Sequence, residues 1–353
     1  NLLRSALVKE VMNLSINFRS LKALLITITF LNFALFTSSV SAQDLHFTQF
    51  NAAPTSINPG YAGAAGQARA VSLYRSQWAN LPQAYTGFHF AYDRPLFNQS
   101  GGIGVLVSHE EAGAGALRSS RIALQYAYEF KIGARTYVRP ALQVGVVSRS
   151  VNLSDLTFMD QLLRQDATST LEDGIITGKQ YADLGTGVLM VSRGFWVGAS
   201  ADHINRPNSS LSHSYSERLD VRISAHGGGR IPLLRGPKSK YGKDVVVAFN
   251  YTKQGDIDQL DLGAYYDLDL MTIGVWYRGV PTQKTAEGSM DVDALSLIFG
   301  FGDNIWHIGY SYDITLNKLG VMSSGGSHEL SLKYMWNIVR RSSPKTSPPC
   351  INY

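Results

Sequence analysis

The chain has 353 residues, which is long enough for two soluble domains or for one large all-β unit. Glycine (33) and tyrosine (18) are abundant and the mean hydropathy is -0.06, so polar and apolar residues are finely mixed, as in strand-rich proteins. The formal net charge of +5 does not indicate a nucleic-acid partner, because Lys and Arg are spread along the chain instead of forming runs. The single cysteine, Cys350, excludes an intramolecular disulfide framework and a cysteine-cluster metal site.

Residues 1–42 have the pattern of a secretory signal peptide. Two basic residues precede a short apolar stretch at 24–36, and small residues up to Ala42 follow it, so cleavage is predicted before Gln43. Met12 is a conventional start for such a peptide. The apolar stretch is well below the ~20 residues that a membrane-spanning helix needs, which favours a cleaved signal over an anchor. The sequence therefore predicts an exported protein.

Apolar and polar side chains alternate with a period of two in the rest of the chain. In residues 121–130 one parity is wholly apolar and aromatic, and the other carries small, polar and charged groups. The same division recurs in residues 244–252, 306–314 and 329–336. Because successive side chains of a strand point to opposite faces, each of these strands has one apolar face.

The alternation is also typical of soluble sandwiches, so two further features decide between the fold classes. Aromatic residues cluster near the strand ends, as in the girdles of membrane barrels, and the strands run for about ten to twelve residues, which matches a tilted membrane crossing. The sequence predicts an all-β protein, an outer-membrane antiparallel β-barrel of about fourteen strands. The predicted strands lie near 67–77, 84–93, 101–109, 118–130, 135–147, 180–192, 194–204, 218–231, 242–253, 258–267, 269–279, 291–301, 303–314 and 325–337.

The connectors alternate in length. Tight turns follow the even-numbered strands, with the exception of 233–241, and longer links such as 148–179 follow the odd-numbered ones. Short periplasmic turns and long outer loops are typical of an even-stranded barrel with both ends in the periplasm. The predicted organisation is a periplasmic N-terminal segment at 43–66, a transmembrane barrel at 67–337 and a periplasmic C-terminal tail at 338–353.

The sequence contains few combinations of residues that could form a catalytic site. His307, Ser311 and Asp313 share the inward parity of one strand, but residues six apart in a strand are about 20 Å from each other, so a polar lumen lining is the better interpretation. The run His226–Gly229 resembles an oxyanion motif of esterases but has no nucleophile elbow, and strand glycines more often mark bulges or close packing. The sequence predicts no enzyme, no cofactor and no metal site.

Three stretches of the chain carry a family resemblance. The first is Phe47-Thr48-Gln49-Phe50 with Ile57-Asn58-Pro59-Gly60-Tyr61-Ala62-Gly63; the second is Leu73-Tyr74-Arg75-Ser76-Gln77-Trp78 with Tyr92-Asp93-Arg94-Pro95; the third is Ile308-Gly309-Tyr310-Ser311-Tyr312-Asp313 with Gly326-Ser327-His328-Glu329-Leu330. In these stretches the sequence resembles the PorP/SprF family of type IX secretion membrane proteins of the Bacteroidota. Gly60 stands where that family usually has alanine.

The resemblance implies a barrel that works with type IX secretion components, either the periplasmic ring or the translocon, and with a secreted surface protein such as a gliding adhesin. It implies structural positions or partner contacts for Asn58, Pro59, Tyr61, Gly63, Tyr74, Arg75, Gln77, Trp78, Tyr310, Ser311, Tyr312, Asp313, Ser327, His328 and Glu329. The expected surroundings are membrane lipid, with no nucleic acid. A turn at Asn58-Pro59 and Gly63 is expected to fold the segment 43–66 beneath or into the barrel.

A second function stays open at this point. Fourteen-stranded fatty-acid transporters share the predicted architecture, so an outer-membrane channel or hydrophobic-ligand transporter is the alternative to a secretion or surface-anchoring partner. A fold does not decide between these functions.

Overall fold

A computed structural model describes residues 46–81, 85–96, 100–113, 117–133, 135–152, 159–164, 178–211, 216–234, 243–268, 270–284, 290–316 and 323–337. The predicted signal peptide with its cleavage site at Ala42 and Gln43, and the predicted C-terminal tail with Cys350, lie outside these residues.

Fourteen strands form one antiparallel sheet, which confirms the predicted fold class. They are β1 Ala68–Gln77, β2 Tyr85–Pro95, β3 Gly101–Ala112, β4 Leu117–Tyr128 (continued by Phe130–Lys131), β5 Tyr137–Val151, β6 Gly178–Ser192, β7 Phe195–Asp202, β8 Arg222–Leu234, β9 Lys243–Gln254, β10 Ile257–Leu268, β11 Met271–Lys284, β12 Met290–Gly302, β13 Trp306–Thr315 and β14 Ser327–Trp336. Each strand pairs with its neighbours in sequence, and β1 pairs with β14 from Ala68↔Trp336 to Gln77↔Ser327. The sheet is therefore a closed barrel.

The period-two register is the one expected from the sequence. Leu330, Leu332 and Tyr334 of β14 are about half exposed on the outer wall, whereas Glu329 and Ser331 between them are buried in the lumen. The outer wall consequently carries an apolar belt, with aromatic side chains such as Tyr128 and Trp306 near the strand ends. Because every strand is paired on both sides, the backbone polar groups are satisfied in a lipid surrounding.

The two ends of the barrel differ in their connectors. At one end, here called the short-turn end, links such as Ser192–Phe195 and Leu268–Met271 join even-numbered strands to the next strand. At the other, the long-loop end, the link from Val151 to Gly178 carries a short helix at Met159–Arg164. The tight connection from Gln254 to Ile257 is an exception at the long-loop end.

The N-terminal segment, residues 46–66, lies inside the barrel. Pro54 and Pro59 each begin a single turn of 3₁₀ helix, at Pro54–Ser56 and Pro59–Tyr61, and most side chains of the segment are buried. Proline suits the first position of a helical turn because its fixed φ is helical and its missing N–H would have no partner there. Of the two places that the sequence left open for this segment, beneath or within the barrel, the structure shows the second.

Within the described ranges, no helix is both long enough and apolar enough to cross a bilayer.

Candidate functional site

A charged cluster joins the N-terminal segment to the line along which the barrel closes. We call Thr48, Arg75, Arg278, Asp313 and Glu329 the seam cluster, because Arg75 of β1 and Glu329 of β14 are paired across that line. Arg75 Nη1 lies 3.1 Å from Glu329 Oε2, and Arg75 Nη2 lies 2.8 Å from Asp313 Oδ2. Arg278 Nη1 approaches the same Asp313 oxygen at 3.3 Å. Two guanidinium groups thus face two carboxylates from four different strands.

Thr48 occupies the centre of the seam cluster. Its hydroxyl accepts hydrogen bonds from Arg75 Nη1 at 2.8 Å and Arg278 Nη2 at 2.7 Å. The same hydroxyl donates to Asp313 Oδ2 at 2.8 Å. A hydroxyl can serve both signs of charge because it has one donor and two acceptor sites. Thr48 therefore connects both arginines to a carboxylate.

The backbone of the N-terminal segment completes the coordination of Glu329. The Thr48 N–H donates to Oε2 at 2.9 Å and the Gln49 N–H donates to Oε1 at 2.7 Å, so both carboxylate oxygens are bound. The Gln49 side chain donates to the Glu329 carbonyl at 3.1 Å and accepts from Ser331 Oγ at 2.8 Å. Glu329 is 1 % exposed and Arg75 is 2 % exposed. Burying these charges costs free energy that full pairing offsets, so each partner in the cluster matters.

A neighbouring ion pair extends the cluster toward β10. Arg278 Nε lies 3.1 Å from Asp261 Oδ1, and His46 Nε2 lies 2.9 Å from Asp261 Oδ2. His46 and Arg278 therefore bind the same carboxylate of β10.

The middle of the N-terminal segment is held by uncharged groups. Asn58 is fully buried and caps the second 3₁₀ turn by accepting from the Gly60 N–H at 2.7 Å, while its Nδ2 donates to the carbonyls of Val188 and Ala199 at 3.0 and 3.1 Å. Ser200 Oγ donates to the Ile57 carbonyl at 2.6 Å, and Gln125 Nε2 donates to the Thr55 carbonyl at 2.8 Å. Lumen side chains thus replace the backbone partners that an irregular segment lacks.

At the short-turn end, charged wall residues bind the backbone of the segment. The Gly63 N–H donates to Asp93 Oδ2 at 2.8 Å, and Arg69 Nε lies 2.9 Å from Asp93 Oδ1. Arg139 donates to the carbonyls of Gly60 (2.9 Å from Nε) and Ala62, and pairs with Glu129. Gly63 has φ +72°, and a Cβ there would overlap the backbone of β2 and β3, so this position requires glycine.

Apolar contacts also hold the N-terminal segment in the lumen. The Phe50 ring meets Trp276 edge-on with centroids 4.7 Å apart, and Phe50, Ile57 and Tyr61 belong to one cluster of buried apolar side chains with Trp196. The glycines after His226, considered above as a catalytic motif, serve this packing: a Cβ on Gly228 would collide with the Trp196 ring.

A cavity of about 90 Å³ lies above the N-terminal segment, on the long-loop side. Its lining includes Arg121 and Arg222, but Arg121 pairs with Asp183 (2.6 Å) and Arg222 with Asp202 (3.1 Å). Both arginines in the lining are therefore neutralised by carboxylates of the wall.

The resembling stretches meet in this site although they are far apart in sequence. Asn58, Pro59, Tyr61 and Gly63 belong to the N-terminal segment, while Arg75, Ser311, Asp313, Ser327 and Glu329 line the buried inner wall. Gln77 is half-buried and accepts from Arg75 Nε at 3.5 Å, and Trp78, just past β1, donates its N–H to the Gly326 carbonyl.

Other motif residues lie outside the lumen. Tyr74 and Tyr310 are exposed on the outer wall, where Tyr310 Oη is 2.8 Å from His328 Nδ1 and the Tyr312 ring lies 5.0 Å from that of His328. The site therefore brings together the inward residues only.

Several residues of the site are not among those to which the family resemblance assigns structural positions or partner contacts. They are Thr48, Gln49, Arg69, Asp93, Arg139, Asp261 and Arg278. Inward parity in the middle of a strand marks Arg139 and Arg278 as lumen residues, but the groups that they bind in the N-terminal segment lie in a stretch without periodicity, so no pattern pairs them with it.

Two of the three hydrolase candidates considered above, Ser311 and Asp313, hold the N-terminal segment. Ser311 accepts from Gln49 Nε2 at 3.3 Å, and Asp313 binds two arginines and Thr48. No group of three or more His, Cys, Asp or Glu that could hold a metal ion occurs in the described part of the chain.

The closed barrel, its apolar outer belt and its filled lumen define an integral outer-membrane β-barrel protein. The chain belongs to the family described as type IX secretion system membrane protein PorP/SprF, whose sequence profile matches residues 39–334. The protein is therefore an outer-membrane barrel of the type IX secretion system. No curated protein matches the chain.

Solved barrels share the general architecture at low identity. The Ralstonia pickettii toluene transporter TbuX is 10 % identical with a TM-score of 0.46, covering 82 % of this chain and 94 % of that one. The monoaromatic hydrocarbon channel CymD is 10 % identical with a TM-score of 0.41, covering 81 % and 93 %.

Proposed function

We propose that this barrel assists the secretion or surface anchoring of one or a few partner proteins of the type IX system, and that it does so through its two ends. The observation that supports this proposal is the filled lumen. Residues 46–66 bind inner-wall groups from β1, β2, β4, β5, β7, β11, β13 and β14, so they form part of the core.

The size of the remaining space argues against a conduit. The cavity of about 90 Å³ above the N-terminal segment is smaller than the roughly 150 Å³ that accommodates benzene in a protein interior, and it is partly polar. Transport of a hydrophobic ligand would require the buried, charged contacts of the N-terminal segment to open.

The orientation follows the connector lengths. We place the short-turn end and the chain ends in the periplasm, where ring or translocon components are available, and the long-loop end outside the cell. The 148–179 link at that end is the candidate for partner choice, because outer loops carry recognition.

Deleting the gene and profiling the cell surface and the medium tests the proposal. We expect one or a few type IX substrates to be lost from the surface. Wild-type protein should restore them, whereas a barrel with residues 153–176 replaced by a Gly-Ser linker should not.

A matched barrel with residues 317–322 replaced by a Gly-Ser linker, at the same end, should restore secretion. If surface and secreted proteins stay unchanged while uptake of a small hydrophobic solute falls, the transporter function is correct and this proposal is wrong.

A further inference from the structure

The cavity of about 90 Å³ on the long-loop side of the N-terminal segment, here called the upper pocket, is lined by the segment below and by the barrel wall around it. Phe47, Phe50 and Ile57 of the segment form its floor, and inner-wall side chains of β2 to β6, β8 and β9 form its sides. Glu110, half-buried in the side lining, accepts a hydrogen bond from Tyr85 Oη at 3.0 Å. The segment therefore closes the upper pocket on the short-turn side.

Two polar atoms of this lining are buried without a hydrogen bond. His89 is 2 % exposed and Asn250 is 1 % exposed, and neither His89 Nε2 nor Asn250 Oδ1 has a hydrogen-bond partner in the described part of the chain. Each residue lies four positions from the long-loop end of its strand, Tyr85–Pro95 or Lys243–Gln254, which is about 13 Å along the strand. A buried polar atom without a partner costs free energy, and a bound molecule that pairs with it offsets that cost.

The arginines of the lining and His203 are already paired with carboxylates. Arg121 and His203 bind the two oxygens of Asp183 at 2.6 and 2.7 Å, and Arg222 lies 3.1 Å from Asp202. A charged ligand would add a charge that these pairs leave without a partner, and burial makes such a charge costly. The upper pocket therefore favours an uncharged molecule.

The remaining lining combines hydroxyl groups with hydrocarbon. Five hydroxyl groups of the wall line the pocket, those of Ser108, Ser119, Tyr181, Ser224 and Thr252. Leu106 and Val147 supply apolar contacts beside the rings of the floor. A hydroxyl group on a ligand both donates and accepts, so it can pair with His89 Nε2 in either tautomer and donate to Asn250 Oδ1. This mixture suits a molecule that carries hydroxyl groups on a short carbon chain.

We propose that the upper pocket binds the hydroxyl-bearing end of a small, uncharged alcohol or polyol through hydrogen bonds to His89 and Asn250. By proportion to the roughly 150 Å³ that accommodates benzene, the pocket has room for about four non-hydrogen atoms. The rest of a longer ligand would extend toward the long-loop end. This proposal does not depend on the secretion function.

Ethylene glycol, which has four non-hydrogen atoms and no charge, is the probe. Saturation-transfer NMR on the folded barrel in deuterated dodecylphosphocholine micelles measures its dissociation constant. We expect saturable binding of ethylene glycol. Acetate and guanidinium have the same number of non-hydrogen atoms and opposite charges, and we expect neither to bind in the same concentration range.

Ser108→Leu fills the upper pocket and should abolish binding, because the added side chain takes the space of the ligand. Ser72→Leu is the matched control: it adds the same atoms to the outer wall of β1 and should keep the wild-type dissociation constant. His89→Phe is a second variant should Ser108→Leu fold poorly. It keeps a ring beside Phe47, whose centroid lies 5.5 Å from that of His89, and should raise the dissociation constant about fivefold or more, because it removes one hydrogen bond.

Three results would overturn the proposal. Without saturable binding of ethylene glycol to the wild-type barrel, the upper pocket holds water only. With comparable binding of acetate or guanidinium, it does not select uncharged ligands. With wild-type affinity in both Ser108→Leu and His89→Phe, the ligand binds elsewhere.

Discussion

The two halves of the N-terminal segment are held by different interactions. Residues 46–53 meet charged side chains of β1, β10, β11, β13 and β14 in and beside the seam cluster, whereas residues 54–66 are held mainly through their backbone by wall side chains such as Gln125, Arg139 and Ser200. Charge pairing demands particular partners, so the first half specifies which strands close the barrel. A hydrogen bond to a backbone carbonyl or N–H depends on the path of the chain and not on the side chain. The second half therefore fixes how the segment fits the wall.

The largest effect is expected from Arg75→Met, which removes a cation between Asp313 and Glu329. Two buried carboxylates would then lose their shared partner, at a cost of about 3–5 kcal/mol in the free energy of unfolding. Urea titration of the barrel in lipid vesicles measures this quantity.

Arg118→Met is the matched control, because Arg118 pairs with Glu111 at the exposed rim. A change of about 0–1 kcal/mol is expected there. Equal losses in the two variants would mean that the seam cluster is no more important than a surface pair.

A second prediction concerns the outer wall. Leu332 is 49 % exposed in the middle of β14, so Leu332→Arg is expected to destabilise the folded barrel by about 2–4 kcal/mol in vesicles. Tyr334→Arg, nearer the strand end, should cost less, because the penalty for a basic residue falls toward the interface. The reverse order in folding titrations would contradict the placement of β14 in the bilayer.

From the sequence alone, Ser331→Arg is expected to be mild because Ser331 points to the lumen. The structure changes that expectation: Ser331 is buried and donates to Gln49, so an arginine there would displace the N-terminal segment.

A third prediction tests the second half of the segment. Ser200→Ala removes one hydrogen bond to the Ile57 carbonyl and should lower the free energy of unfolding by about 1 kcal/mol. Ser72→Ala, on the outer wall of β1, should stay within about 0.5 kcal/mol of wild type. A loss at Ser200 as large as that of Arg75→Met would remove the distinction between the two halves.

The smallest effect is expected in a turn outside both regions. Asp303 accepts from the N–H groups of Trp306 and Ile305, and these hydrogen bonds lower the pKa of its carboxyl group. The ionised form is therefore favoured by folding, and its contribution is present above the unfolded-state pKa and lost as the pH falls through the folded-state pKa. Asp303→Asn should be slightly less stable than wild type at pH 7, and thermal unfolding should show the difference disappearing in acid.

The strand pattern could be predicted because lipid contact imposes an apolar side chain at every second position. The same cause limits the prediction at strand ends. β5 continues to Val151 and β11 to Lys284, beyond the predicted ends at 147 and 279, since backbone pairing persists where the wall has left the apolar belt. β13 begins at Trp306 instead of 303, because Asp303 organises the preceding turn.

The position of the N-terminal segment inside the barrel could not be derived from periodicity. Residues 46–66 have neither a helical nor a strand period, and the prolines indicate turns without indicating a location. Parity identifies Arg75, Asp313 and Glu329 as inward residues, but Thr48 has no signal of its own outside the family resemblance. Long-range charge pairing leaves little trace in a single sequence.

The seam cluster also has a consequence for the order of assembly. Thr48 precedes its partners Asp313 and Glu329 by 265 and 281 residues. A chain made from its N-terminus therefore presents the segment long before the residues that bind it exist. The segment can take its final position in the lumen only after the last two strands are present. A chain truncated before β13 would keep Arg75 without the carboxylates that neutralise it.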